Sequence, residues 1–456
     1  MSKHWKIFLA VLLGLSMATP AMAMKFEFHG DLNNRFLLYT DQAGFFQTPA
    51  AGATLNTVLD KEDRPDSFGE IKSRLIVSAA TDDGAVKGVY ALEVGAVKFG
   101  QSARGGSFSG DGINLETRWF YTDFQIPSVA SKARVQIGLF TNTVNPFFWS
   151  ETAMGVKLYG ENWYFAWLRG KDSFPTGANQ NWGDNDLDTL NARYDLKVVP
   201  VKVGFFLSYL TQKTDATSIA SFTPTFGRNE VKLFPTADFD LLAVGIDGGF
   251  STGTSFGKVF LNWDLIYETG GVDNVGSAGN DVDIQGYLLH ADLGLNFGAA
   301  TLTYTVWYAS GDDNSSDRDF DNFMSVDVDL FDSFIFLESL TDDNVFFEGP
   351  YVGDKGLFFN KLALDYQATK QTKVGLAALY LQTAEDLEWL TFKEKDLGLE
   401  IDGYAKHKLY DNVELALHLG YLLSGDAMDF FETTASRNGK SDVDIFKAEA
   451  RVRYQF

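Results

Sequence analysis

The sequence predicts an all-β fold, a transmembrane antiparallel up-and-down β-barrel, and three observations predict it. Apolar residues recur at every second position over long segments, the connections between those segments alternate short and long, and no stretch carries the ~20 apolar residues of a membrane helix. The 456 residues include 40 Phe, 18 Tyr and 9 Trp but only 10 Pro and no Cys, which excludes disulfide scaffolds and thiol-ligated metals. A formal net charge of −23 argues against a nucleic-acid partner, whose phosphates call for Lys and Arg.

Residues 1–23 read as a separate unit. Lys3 and Lys6 precede an apolar stretch from Ile7 to Met17, and Ala21-Met22-Ala23 has the small-x-small pattern of a secretory signal cleaved after Ala23. Residues 24–456 then form one barrel domain.

The strands follow in order. In the first, 25–40, Phe26, Phe28, Leu32, Phe36 and Leu38 alternate with Glu27, His29, Asp31, Asn33 and Arg35, so one face suits lipid and the other water. Segments 67–81, 85–99, 113–126, 133–141, 153–159, 163–170, 186–198 and 200–212 continue the pattern. After them come 238–250, 255–268, 282–297, 299–310, 356–368, 372–384, 395–408, 412–424 and 442–456. That makes about 18 strands, with 16 as the alternative count because 153–159 and 163–170 are short. Soluble sandwiches use strands of about 5–6 residues, and a propeller would repeat every ~40–50 residues; the segments are longer and no repeat is visible. Every second connection is tight (near 82, 130, 161, 199, 253, 298, 370 and 410), whereas 41–66, 213–237, 311–355 and 425–441 are long and polar. Aromatic residues at strand ends, among them Trp119 to Tyr121, Trp163, Tyr164, Trp307 and Tyr308, suit interfacial girdles.

The last strand runs Phe446, Ala448, Ala450, Val452, Tyr454 and Phe456 on one face and closes the chain with an aromatic residue. With the signal and the alternating strands, this ending resembles that of Gram-negative outer-membrane porins, and among them the homotrimeric porins of sulfate-reducing bacteria. The resemblance implies a water-filled channel in the bacterial outer membrane and a homotrimer in contact with lipid and lipopolysaccharide. It also implies insertion by the outer-membrane assembly machinery, which would read Val452, Tyr454 and Phe456. General porins fold a long third loop inward; the matching connection here, 142–152, is short and carries one acid, Glu151.

With apolar faces toward lipid, the charged inward positions can be read directly. Arg35, Lys72, Arg74, Arg118 and Arg134 lie on the first five strands, with Glu116 among them. Arg193 and Asp264 lie farther round, and the last strand contributes Lys447, Glu449, Arg451 and Arg453. The basic group either faces acids across the pore or is consumed in ion pairs such as Arg74 with Glu116.

The 311–354 connection is the most informative loop. It carries Asp312, Asp313, Asp317, Asp319, Asp321, Asp327 and Asp329 among its acids, against a single base, Arg318. An acidic mouth enriches cations, so a mild cation preference is expected. Asn322 and Val328 stand where a calcium loop needs Gly and Glu, so no metal is assigned. Leu330 to Leu340 mixes apolar residues at helical spacing and is the candidate plug. No nucleophile elbow, phosphate loop or metal-binding His pair is present, so no catalytic residue and no cofactor is assigned. The function read from sequence is passive diffusion of small hydrophilic solutes and ions. The alternatives are a channel specific for a sugar or other small solute, and an outer-membrane barrel enzyme.

Overall fold

In the computed structural model the described chain runs from Met24 to Phe456, apart from residues 41–65, 103–104, 108–113, 128–131, 172–185, 214–230, 232–236, 276–279, 315–316, 338–346, 432–436 and 442. The leader and Pro49, Pro65, Pro175, Pro224 and Pro235 lie outside the described residues.

Eighteen strands form one antiparallel sheet that closes on itself. They are β1 (Met24–Tyr39), β2 (Asp66–Thr81), β3 (Val86–Lys98), β4 (Leu115–Gln125), β5 (Arg134–Asn145), β6 (Trp149–Tyr159), β7 (Trp163–Lys171), β8 (Leu187–Val198), β9 (Val201–Gln212), β10 (Asp238–Thr254), β11 (Gly257–Val275), β12 (Asn280–Phe297) and β13 (Ala300–Ala309). After a two-residue strand, β14 (Asp319–Phe320), the wall continues with β15 (Leu357–Gln367), β16 (Thr372–Trp389), β17 (Phe392–Tyr410), β18 (Val413–Ser424) and β19 (Ile445–Gln455). Closure is made by β1 against β19, with Asp31 opposite Gln455 and Tyr39 opposite Lys447. At that seam the Gly30 and Phe456 backbones exchange hydrogen bonds of 2.9 and 3.1 Å. A Cβ on Gly30 would lie 2.2 Å from the Phe456 ring, so the absent side chain is what seats the final aromatic over the seam.

Alternation sets the faces. Phe28, Phe36, Leu302, Tyr304, Leu417 and Leu419 are exposed on the outside, while Arg35, Glu70, Glu400 and Lys447 are buried inside. The connections that follow β2, β4, β6, β8, β10, β12, β15 and β17 all fall at one end, hereafter the turn end, with both termini of the barrel; the others, from the long β13–β15 connection to the tight β5–β6 and β16–β17 turns, occupy the loop end.

Two expectations need correcting. Trp307 is 1% exposed and points inward, stacked on Phe359 at 4.8 Å, because neighbours on a strand face opposite ways and Tyr308 takes the outer position. The β16–β17 hairpin continues to Trp389 and Phe392, well past the expected ends at 384 and 395. There Leu387 and Trp389 turn inward onto a short 3-10 helix, Asp426–Phe431, which inverts the apolar-outside signal used to find strands.

Candidate functional site

The connection between β13 and β15 does not stay at the loop end but folds into the barrel. Its apolar residues Phe323, Met324, Val328, Ile335, Phe336 and Leu337 are fully buried. It enters along β12, where β14 pairs in parallel with Asp283 and Ile284. Glu268 on β11 then accepts the Met324 N–H at 2.9 Å. Farther on, the Val326 N–H donates to the Phe148 carbonyl at 2.7 Å, and the Ser150 N–H to the Asp327 carbonyl at 3.0 Å. The short β5–β6 turn, Pro146 to Phe148, thus serves as a seat for this segment rather than as an eyelet of its own.

The far end is held by one carboxylate. Glu400 on β17 accepts the N–H groups of Phe334 and Ile335 at 2.8 Å each, the Phe336 N–H at 3.2 Å and the Ser333 hydroxyl at 2.8 Å. Two cations hold the carbonyls that point the other way: Lys361 Nζ donates to Asp332 O at 2.6 Å and Lys447 Nζ to Phe334 O at 2.9 Å. A fully buried carboxylate needs such donors, and a helix-free loop needs such acceptors. Leu330 to Leu337 therefore fills the lumen as expected, but as irregular chain, with no helix among the described residues.

Next to Glu151, which neighbours Asp329 of this loop, the β2–β4 wall is basic. Glu93 is ringed by Arg74, by Lys72 at 3.4 Å and by Arg118 at 3.6 Å, and Arg118 reaches Glu151 at 3.4 Å. Arg74 faces Glu93 directly across β2–β3, one strand nearer than Glu116, so the expected Arg74–Glu116 pair is replaced by Arg74–Glu93. Glu116 is exposed on β4. Arg35 pairs with Glu70, both fully buried, and Arg134 meets Asp123 at 2.7 Å near the turn end. Arg193 binds Asp247 at 2.6 Å; Asp264 meets His290 at 2.6 Å and accepts from Asn145 at 2.5 Å. On β19, Lys447 and Glu449 are buried, Arg451 binds Glu414 at 2.7 Å and Arg453 chelates Asp31. Of the predicted positions, Lys72, Arg74, Arg118 and Glu151 come together in one cluster around Glu93, while Arg134 lies near the turn end and Arg193 reaches Val144 O at 2.8 Å beside the β5–β6 turn.

The acidic loop divides in two. Asp313, Asp317 and Asp319 are exposed at the rim, with the Asp319 N–H and Asn314 Nδ2 each 3.0 Å from the Asp317 carboxylate. Asp312 is buried, which pushes its carboxyl up to about 6, and burial beside Asp319 raises Asp321. Asp327 and Asp329 lie inside. Burial, reinforced by Glu151, Glu348 and Asp327, pushes Asp329 up to about 7, and Asp332 is raised by burial. Glu338, Asp342 and Asp343 lie outside the described residues, among which no group of three or more His, Asp or Glu could hold a metal.

Two cavities open in the turn-end half. One, of about 490 Å³, lies between β8 to β11 and the Thr143 to Pro146 end of β5, and includes Arg193, Asp247 and Asp264. The other, of about 260 Å³, lies between residues 331–334 and the β15–β18 wall. Sequence reasoning missed the anchoring role of Glu268 and Glu400. The available signal was inward parity: Glu268 continues Asp264 and Ile266, and Glu400 precedes Asp402.

No model of a known protein family matches the chain, and no curated protein matches it. Solved structures do. The outer membrane protein OpdK from Pseudomonas aeruginosa superposes with a TM-score of 0.52 at 11% identity, covering 94% of this chain and 98% of that one. The outer membrane protein OprD from the same organism gives 0.53 at 9% identity over 96% and 95%, and OccAB2 of Acinetobacter baumannii 0.50 at 10% over 94% and 98%. At these identities the likeness is one of fold, the closed eighteen-strand antiparallel barrel. The resemblance to porins of sulfate-reducing bacteria draws no support from these neighbours.

Proposed function

We propose that the chain is an outer-membrane channel that passes a restricted set of small polar solutes, the substrate-selective reading rather than the wide general pore. The observation that carries it is the 310–356 connection, pinned inside the barrel by Glu268 and Glu400 and joined to the Lys72, Arg74 and Arg118 cluster through Glu151, which neighbours Asp329 and meets Arg118 at 3.4 Å. A pore narrowed by a fixed segment with cations on one side and carboxylates on the other discriminates by size and charge. Fold likeness to OprD and OpdK, both outer membrane proteins, supports the location. The turn end then faces the periplasm and the loop end the outside, with residues 1–23 cleaved on export. Outer-membrane lipid and lipopolysaccharide cover the apolar exterior, the assembly machinery reads Val452, Tyr454 and Phe456, and copies associate as a homotrimer. The surplus of acids at the rim and inside gives a mild cation preference. No catalytic step and no cofactor belong to this reading.

The test is single-channel recording in planar bilayers under a salt gradient, with solutes added in turn. Small steps, a reversal potential favouring cations and block by a subset of solutes are expected. Large steps indifferent to every solute would return the reading to general diffusion, and absence of conductance would refute the channel.

A further inference from the structure

We propose that the 260 Å³ cavity between residues 331–334 and the β15–β18 wall is a binding subsite for an uncharged, polyhydroxylated ring of monosaccharide size or smaller. The proposal deepens the channel reading above and rests on it.

Two lining side chains point to a ligand. His418 is 8% exposed, and its Nε2 is buried with no hydrogen-bond partner; Asp402, one strand away, has a carboxyl beside Glu400 and the Phe334 N–H, yet its Oδ1 is likewise buried without one. Register places them together: Tyr404 is opposite His418 and Asp402 opposite Gly420 on β17–β18. Gly420 lets Phe334 and Asp402 approach this wall closely, since a Cβ there would stand 2.8 Å from Phe334 and 2.9 Å from Asp402 Oδ1. Buried polar atoms are nearly always satisfied, so two orphans bordering one cavity mark where a partner belongs.

Their chemistry selects the partner. A carboxylate oxygen only accepts, whereas an imidazole nitrogen donates or accepts according to tautomer; a hydroxyl, donor and acceptor at once, serves both. Charge argues against an ion. An anion would meet Asp332, Asp365 and Asp402, and a cation would meet Lys361 and Lys406. Aromatic surface is also present, with the Tyr404 ring stacked on His418 at 5.4 Å and Phe334 on it at 5.6 Å, a surface that suits the C–H face of a sugar-like ring. The volume sits at the small end of the ~300–1,000 Å³ usual for ligand pockets, which limits the occupant to about one ring.

The experiment uses the full chain in planar bilayers with D-glucose as probe and sodium gluconate as its anionic counterpart. D-glucose is expected to reduce the ion current in a saturable way, with gluconate at least tenfold less effective. Asp402→Asn and His418→Phe each raise the half-blocking glucose concentration at least tenfold. Calorimetric titration of the unaltered protein in detergent with D-glucose needs no variant and is expected to give saturable heat. Steps without glucose block or heat, block by gluconate as strong as by glucose, or block unchanged in both variants would overturn the subsite while leaving the channel. Glucose heat with no conductance would instead refute the channel and keep the subsite.

Discussion

The barrel wall and the connection that fills it are built from the same chain but held by different forces. In the wall every strand pairs on both sides, so the backbone satisfies itself and no single side chain decides the structure. In the 310–356 connection, regular pairing among the described residues is limited to β14 and two isolated bridges, Trp149 with Asp327 and Leu337 with Phe347. Its other donors end on turns and on side chains, above all Glu268 and Glu400. A structure held by many equivalent bonds resists point changes; one that concentrates its anchors on a few side chains, as this connection does on Glu268, Glu400, Lys361 and Lys447, resists them less.

The comparison breaks most sharply at Glu400. Glu400→Ala strands the Ser333 hydroxyl and the Phe334 and Ile335 N–H groups, the Phe336 N–H keeping Ser333 Oγ at 2.8 Å; with each buried unsatisfied group costing about 1–3 kcal/mol, residues 333–336 are expected to undock while the wall stays closed. Amide exchange at Phe334, Ile335 and Phe336 should accelerate about a hundredfold, corresponding to a few kcal/mol of local stability, with wall amides unchanged. Equal protection in the variant would show that apolar burial alone holds the segment.

Glu268→Ala removes one acceptor, that of the Met324 N–H. A loss of about 1–3 kcal/mol is expected locally, read as roughly tenfold faster exchange at Met324 with little change at 333–336.

Acidity provides a smaller and reversible perturbation. Docking raises Asp329 from the ordinary carboxylate range to about 7, so the docked loop holds a proton that the undocked loop releases. Docking is therefore strongest below about pH 4 and weakens as pH rises through 7, where Asp329 ionises beside Glu151, Glu348 and Asp327. Conductance and cation preference should both be higher at pH 8 than at pH 5.5, as read from unitary steps and reversal potentials. Asp329→Asn should flatten that dependence; an unchanged pH profile would remove Asp329 from the account.

The wall should respond least. Gly30→Val forces the Phe456 ring off the seam, yet the backbone bonds between Gly30 and Phe456 remain available. A cost of ~1–3 kcal/mol against a closed ladder should lower the detergent melting temperature only slightly. Failure of the barrel to close would mean that the seam depends on one ring.

How much was legible follows from the same contrast. The wall was read within a few residues for most strands because an apolar outer face and a polar lumen impose period two, and the alternation of connections imposed an even strand number. The exceptions are places where that environment ends: Leu387 and Trp389 stand at the loop-end extension of β16 and face inward, and Trp307 shares a strand end with Tyr308. The lumenal charges were readable by parity, but their partners were not, since Arg74 with Glu93 depends on strand adjacency. The loop was visible as acidic and partly apolar. Its division into an exposed rim at Asp317 and Asp319 and a half-buried set at Asp327 and Asp329 was not, because Glu268 and Glu400 lie far away in sequence and carry no local signal of their role.

The central claim is that the pinned connection, rather than the wall, sets what passes. It is tested most directly by unitary conductance of the Glu268→Ala/Glu400→Ala double variant beside the unaltered chain in the same bilayers. Severalfold larger steps with weaker ion and solute discrimination are predicted; identical steps and identical discrimination would contradict the account.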